Sequence, residues 1–331
     1  MNKELEGVYT TGKSFRAFAE AHARNYRLTK LRLKEFKEYG HVLTDNDANN
    51  GMNFLPSLRN DILSAVKGRN EKGKGVDIDR TTKNMLSSQA MCFNLFVPLN
   101  LNKKYATTFF NQILGDCQAI TDNIEIEYTP SKAIFNDQSV KGGVDCDALL
   151  QYTNDKGQNS LLVMETKYVE PEFSICGFRK NEFNKKKKKR DLCPVDTIVN
   201  SDFSNCRYHY KKHYKYWGVA KESSLFNMDL IHSEPCPFGG SLWQLWVNMI
   251  LAYGVAKERG CNAFKYAVIC HERNDKLSDN GKVFLEFKKL LKNPKHLKII
   301  YLSDIKRSFE LLENNYPDIT WTKEFTERYC S

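Results

Sequence analysis

Apolar residues recur along this chain at two periods, one of three to four residues and one of two. Phe15, Phe18, Ala19, His22, Tyr26 and Leu33 are spaced for one helical face over 13–39, and Gly40 suits its end. The same spacing predicts helices over 54–67, with Pro56 in the first turn, over 81–97, closed by Pro98, and over 103–117. The period then shifts to two. IEIEY (124–128) alternates and stops at Thr129-Pro130, so it reads as a strand. VDCDALLQY (144–152) and SLLVMETKY (160–168) flank Asn154-Asp155-Lys156-Gly157, which is turn chemistry, and so predict an antiparallel hairpin. The second of these strands is apolar enough to be central in a sheet. Further on, the pattern predicts a helix over 241–259 ended by Gly260, a strand over 265–271 and a helix over 280–292. A strand over 297–302 and a helix over 304–315, N-capped by Ser303, complete the series.

This order predicts an α/β fold, a mixed sheet flanked by helices. The Gly- and Lys-rich EKGKGVD reads as a hinge, dividing an N-terminal helical region (1–80) from a second domain (81–331). Within that domain, residues 172–238 show neither period and read as an irregular insertion.

Composition changes the picture in three ways. With 41% hydrophobic and 27% charged residues the chain has material for a folded core, which excludes a disordered or fibrous protein. No apolar run approaches the 18 or so residues of a membrane span, and the N-terminus shows no apolar signal stretch. Ten cysteines without a secretory signal are expected to be reduced thiols or metal ligands, and the expected compartment is the cytoplasm. The net charge is +10, and its placement matters more than its size. Residues 176–220 hold twelve Lys/Arg against four Asp/Glu, which leaves only +2 for the rest of the chain. Such a concentration points to a polyanionic partner, most simply nucleic acid. Its densest part is Lys185, Lys186, Lys187, Lys188, Lys189 and Arg190, a candidate phosphate-contacting loop that reads equally as a solvated loop tip, with a nuclear localisation signal as a further reading.

The candidate chemistry lies in the hairpin. Glu165 and Lys167 are two apart and share a strand face with Leu161 and Val163; Asp145 and Asp147 likewise share a face of the preceding strand. Pairing the strands brings Asp147, Glu165 and Lys167 together. Carboxylates on adjacent strands offer hard oxygens to Mg²⁺, and a lysine beside them can orient a water for attack on a phosphodiester.

Asp147-Ala148-Leu149-Leu150, a turn, then Val163-Met164-Glu165-Thr166-Lys167 resembles the signature of the PD-(D/E)xK nuclease superfamily. The element order around it resembles that superfamily's restriction-endonuclease-like core over roughly 81–302. The resemblance implies that Asp147 and Glu165 are metal ligands and Lys167 the catalytic lysine, with Asp145 a rival or additional ligand. Cys146 stands where the motif's proline would be. The helix before the motif offers Gln89 and Asn94 but no acid. Gln244 resembles the glutamine of RecB-like members, whose tyrosine four residues on is replaced by Asn248. What the resemblance implies is a Mg²⁺- or Mn²⁺-dependent DNA endonuclease of restriction or defence type, leaving a 5′-phosphate and a 3′-hydroxyl. Cutting both strands of a duplex favours two active sites and hence a homodimer. Two alternatives stand beside it: a repair or recombination nuclease acting on DNA ends or branches, and a non-catalytic nucleic-acid-binding protein.

Cys176, Cys193, Cys206 and Cys236 all fall in the insertion, with no CxxC spacing. Four thiolates there would hold Zn²⁺ tetrahedrally or an iron–sulfur cluster; otherwise they are thiols packed under a loop.

Overall fold

A computed structural model describes residues 13–71, 73, 75–139, 143–179, 192–194 and 196–330. The lysine run 185–190 lies outside the described residues. Six strands form one mixed sheet: β1 (Cys117–Ile120), β2 (Glu125–Tyr128), β3 (Cys146–Asn154), β4 (Asn159–Lys167), β5 (Ala263–Cys270) and β6 (Leu297–Tyr301). β3 and β4 are the predicted antiparallel hairpin, with Leu150 opposite Leu162. Its turn is fixed by Asn154, whose Oδ1 accepts from the N–H groups of Lys156 and Gln158, and by Gly157 at φ +72°. β5 runs parallel to β4 and β6 parallel to β5. Parallel neighbours need long crossovers, and the helices Leu242–Glu258 and Lys282–Leu290 lie in the chain between them. β1 and β2 share the far edge of β3, both antiparallel to it.

Each face of the sheet carries its own apolar core. Ala148, Leu150, Leu162 and Met164 face one way, onto the helices Ser88–Asn100, Lys103–Leu114, Leu302–Asn315 and Trp321–Tyr329. The N-terminal helices Phe15–Thr29 and Arg59–Glu71 bury Phe15, Ala19, Ile62 and Val66 in that same core. Leu149, Leu161 and Val163 face the other way, onto Leu242–Glu258 and the segment before it. That segment, read from sequence as irregular, contains the short helices Arg207–Tyr210, Tyr216–Ser223 and Met228–Ser233. Among the described residues no helix is long and apolar enough to cross a membrane.

Several elements differ from the sequence pattern. The helix expected over 81–97 is split into Ile78–Lys83 and Ser88–Asn100, and the helix expected from 304 begins at Leu302, so Ser303 is not its N-cap. The first helix stops at Thr29 instead of running to 39. Arg27, fully buried, donates to the carbonyls of Leu33, Lys34 and Gly40, so the chain wraps around its guanidinium. The helix Lys103–Leu114 ends before 117 because Gly115 takes a left-handed conformation, φ +79°, which frees 117–120 to pair as β1. Pro98 lies inside the helix Ser88–Asn100 and does not close it. A proline there removes one hydrogen bond, and the burial of Phe93, Phe96 and Leu99 holds the last turn.

His41 is buried beside this N-terminal wrap, and burial pushes its pKa from 6.5 down to about 4. A group whose pKa is depressed on folding stabilises the native state above its unfolded pKa, and that stability is lost as pH falls toward the folded value. We therefore expect acidification from pH 7 to 5 to cost about 1–2 kcal/mol through His41. Urea unfolding at both pH values should show His41→Phe to be less acid-sensitive by that amount. An unchanged difference would remove His41 as the cause.

Candidate active site

The hairpin register sets the site. The last strand pair is Ala148 with Met164, so Asp147 and Glu165 lie just beyond it at the end of the hairpin, with Glu165 on the face that carries Val163 and Asp147 held by Thr166. Lys167, two residues after Glu165, shares that face. The structure sets Lys167 against Glu165 and leaves Asp147 near enough for both charges to act on it.

Glu165 is almost fully buried, and three donors surround it. Lys167 Nζ lies 2.9 Å from Oε1, Gln244 Nε2 donates to Oε1 at 2.7 Å, and Asn248 Nδ2 donates to Oε2 at 2.9 Å. Gln244 and Asn248 are one turn apart on the helix Leu242–Glu258, so a single helical face delivers both amides. The Gln244 amide is oriented in turn by the N–H of Ser174, which donates to its Oε1 at 3.0 Å. Burial raises the pKa of Glu165, and Lys167 opposes that rise. Burial also works against the Lys167 ammonium, but Glu165, Glu170 and Asp147 more than reverse this, so Lys167 stays charged.

Asp147 Oδ2 accepts from both the N–H and the hydroxyl of Thr166, each at 2.6 Å. The middle residue of the Glu-x-Lys motif thus positions the first carboxylate. Burial and then the Glu165 charge push Asp147 up to about 7. Asp145 stands at the mouth, where desolvation and Asp147 push it to about 6. Beside it opens a cavity of about 810 Å³ lined by Asn70, Asp77, Ser131, Lys132 and Asp145, among others.

The structure adds a carboxylate that the sequence pattern did not single out. Glu127 falls opposite Asp147 in the β2–β3 register, between the pairs Ile126–Ala148 and Tyr128–Cys146. Its backbone is left-handed, φ +56°, unusual for a non-glycine residue inside a strand. Arg69 clamps this kink by donating to the carbonyls of Ile126 and Glu127. Burial and then Asp147 push the Glu127 carboxyl to about 9, and its Oε1 has no hydrogen-bond partner. The only sequence signal was an acid in the alternating strand IEIEY, and alternation alone does not separate Glu127 from Glu125. The acid-free helix supplies no carboxylate here: Gln89 bonds Gly75, Asp77 and the Glu127 side chain, and Asn94 bonds Leu55, Asn53 and Tyr329.

As these side chains stand, no three Cys, His, Asp or Glu groups among the described residues converge closely enough to enclose an ion. The donor set nevertheless suits a hard divalent cation. Asp147, Glu165, Asp145 and Glu127 are carboxylates that burial, and then repulsion from neighbouring acids, holds above their ordinary pKa values, and Glu127 brings an unpartnered buried oxygen. The four cysteines of the insertion lie apart from this site, around a cavity of their own.

Fold and site together define the class: a mixed-sheet α/β protein whose central hairpin presents carboxylates and one lysine at its strand ends. The family model described as the PD-(D/E)XK nuclease superfamily matches residues 13–331, and the chain belongs to that superfamily, whose members are nucleases acting on nucleic acid. Neither a curated protein nor a solved structure matches the chain.

The buried amide should carry structural weight. Asn248→Leu leaves Glu165 Oε2 without its donor and should lower stability by about 1–3 kcal/mol. Gln244→Leu should cost less, because Gln244 is partly exposed and water can replace it. Denaturant unfolding of the two variants checks the order, and equal costs would count against this account.

Proposed function

We propose that this chain is a Mg²⁺- or Mn²⁺-dependent endonuclease that hydrolyses DNA phosphodiester bonds, of restriction or defence type. The observation that carries the reading is the Asp147–Glu165–Lys167 constellation at the end of the central hairpin, in a chain of a nuclease superfamily. Asp147 and Glu165 would hold the metal, with Asp145 and Glu127 as further oxygen donors at the same site. When bound, such a cation lowers the pKa of a water and neutralises charge on the phosphoryl group.

The chain's own residues do the rest. Lys167 stays protonated among its carboxylates, so it acts as a donor and a positive charge beside the reacting phosphate rather than as a base. Gln244 and Asn248 fix the Glu165 rotamer, and Thr166 fixes Asp147. The cavity at Asp145 gives a strand access, and the basic excess of residues 176–220 supplies phosphate affinity. A homodimer would place a second site on the second strand.

Supercoiled plasmid, linear duplex DNA and RNA incubated with Mg²⁺, Mn²⁺ or EDTA test the reading. The expected outcome is cation-dependent cutting of the closed circle, reduced about 100-fold or more in Glu165→Gln and Lys167→Ala. Linearisation without a nicked intermediate indicates paired sites, and digestion of linear DNA alone moves the assignment to an end-processing nuclease. Salt-sensitive DNA binding with no cutting by the wild type refutes the proposal.

The same assay extends to the added carboxylate. Glu127→Gln is expected to lower the cutting rate while leaving DNA affinity at fixed salt unchanged. A normal rate in that variant would reduce Glu127 to a structural residue.

A further inference from the structure

The sequence scatters Cys176, Cys193, Cys206 and Cys236 over 61 positions with no ligand motif, yet the fold gathers all four around one cavity of about 30 Å³. None is in a disulfide. Much of the remaining wall is aromatic, from Trp217, Phe238, Trp243 and Trp246, with Arg179, Thr197 and Asn205 also lining it. Three of these sulfurs accept a backbone N–H. The Cys176 sulfur takes that of Phe178, the Cys236 sulfur that of Phe238, and the Cys193 sulfur that of Arg207. In two of these the donor is two residues after the cysteine, a tight turn in which the backbone solvates sulfur. Free thiols gain little from such bonds, whereas thiolates gain a charge-assisted one. The positive charges of Arg179 and Arg207 also act on the Cys193 sulfur. Four soft donors, N–H groups aimed at them, balancing cations and a largely aromatic wall are the surroundings of a thiolate-bound metal.

We propose that Cys176, Cys193, Cys206 and Cys236 ligate one soft-metal centre, a zinc ion or an iron–sulfur cluster, that staples the insertion to the body of the protein. The four come from separate stretches, tied together by backbone pairing of Arg179 with Cys193 and of Ile198 with Pro235. No three metal-binding side chains among the described residues converge on a point, so binding a metal would require the sulfurs to close in on it. The centre also reaches the active site. Trp243 and Trp246 on its wall flank Gln244, and Ser174, two residues before Cys176, orients the Gln244 amide that holds Glu165. These cysteines are therefore positioning residues for the nuclease site. The metal itself does not depend on the nuclease assignment.

The test is metal analysis of the full chain purified without oxygen, before and after loading with Zn²⁺ or with Fe²⁺ and sulfide. About one zinc per chain, or about four iron with matching sulfide and visible absorption, supports the centre and tells the two sources apart. Cys206→Ser and Cys236→Ser should lose most of that metal, while Cys261→Ser, outside the cavity, should keep it. Thiol titration of the wild type under native conditions avoids the risk that a variant misfolds: removing the metal should expose four additional thiols. Less than a tenth of an equivalent of either metal after loading, or full metal in the cavity variants, overturns the proposal. Should the protein bind metal but not cut DNA, the centre stands and the nuclease reading falls.

Discussion

The arrangement depends on one buried charge. Glu165 sits near the end of a central strand, flanked by β3 on one side and β5 on the other, where it is almost entirely shielded from water. A lone carboxylate there would take up a proton. It can remain an anion because Lys167 and the amides of Gln244 and Asn248 converge on its two oxygens. Burying an ion pair gains little by itself, since desolvation offsets most of the attraction. What the pair does impose is position: the helix Leu242–Glu258 must present one particular face to β4. Its other contacts agree with that demand. Gly254 allows Ile134 to come closer than any Cβ would permit, and Phe238 stacks on Trp246 at 4.6 Å.

Around this charge the protein concentrates acids instead of dispersing them. Asp145, Asp147 and Glu127 all have raised pKa values, first from burial and then from a neighbouring carboxylate: Asp147 acts on Asp145 and Glu127, and Glu165 acts on Asp147. Such crowding is unfavourable in the absence of a counter-charge, and a bound cation would relieve it. The left-handed backbone at Glu127 fits the same logic. Strain of that kind persists only where neighbouring structure enforces it, and here Arg69 holds the kink through two carbonyls. Fold stability and the preparation of the site draw on the same residues.

The two cores divide the labour. One joins the N-terminal helices, the sheet and the C-terminal helices into a continuous apolar body. The other joins the far sheet face to the helix Leu242–Glu258 and the cysteine-bearing segment through stacked aromatics, among them Tyr208 on Trp243 and Trp217 beside Trp246. The candidate site lies on this second face, so whatever orders the insertion also bears on the side chains that hold Glu165.

Sequence alone determined what is local. Period-two alternation and the Asn154–Gly157 turn fixed the hairpin, and with it the meeting of Asp147, Glu165 and Lys167, because a register needs only neighbouring residues. It also exposed the basic segment and, through the motif, the family. Tertiary structure decided the rest, where partners are far apart in the chain. Asn248 looked like a departure from a pattern until an 83-residue separation closed onto Glu165. Glu127 looked like any strand acid until a backbone kink and a cross-strand register set it beside Asp147. The first helix could not show that a buried arginine would stop it at Thr29. Four cysteines with no common spacing became neighbours only when pairings outside the regular strands brought their loops around one cavity. Periodicity reports which face of an element is apolar, whereas the partner that face or charge meets is set by the packing of the whole chain.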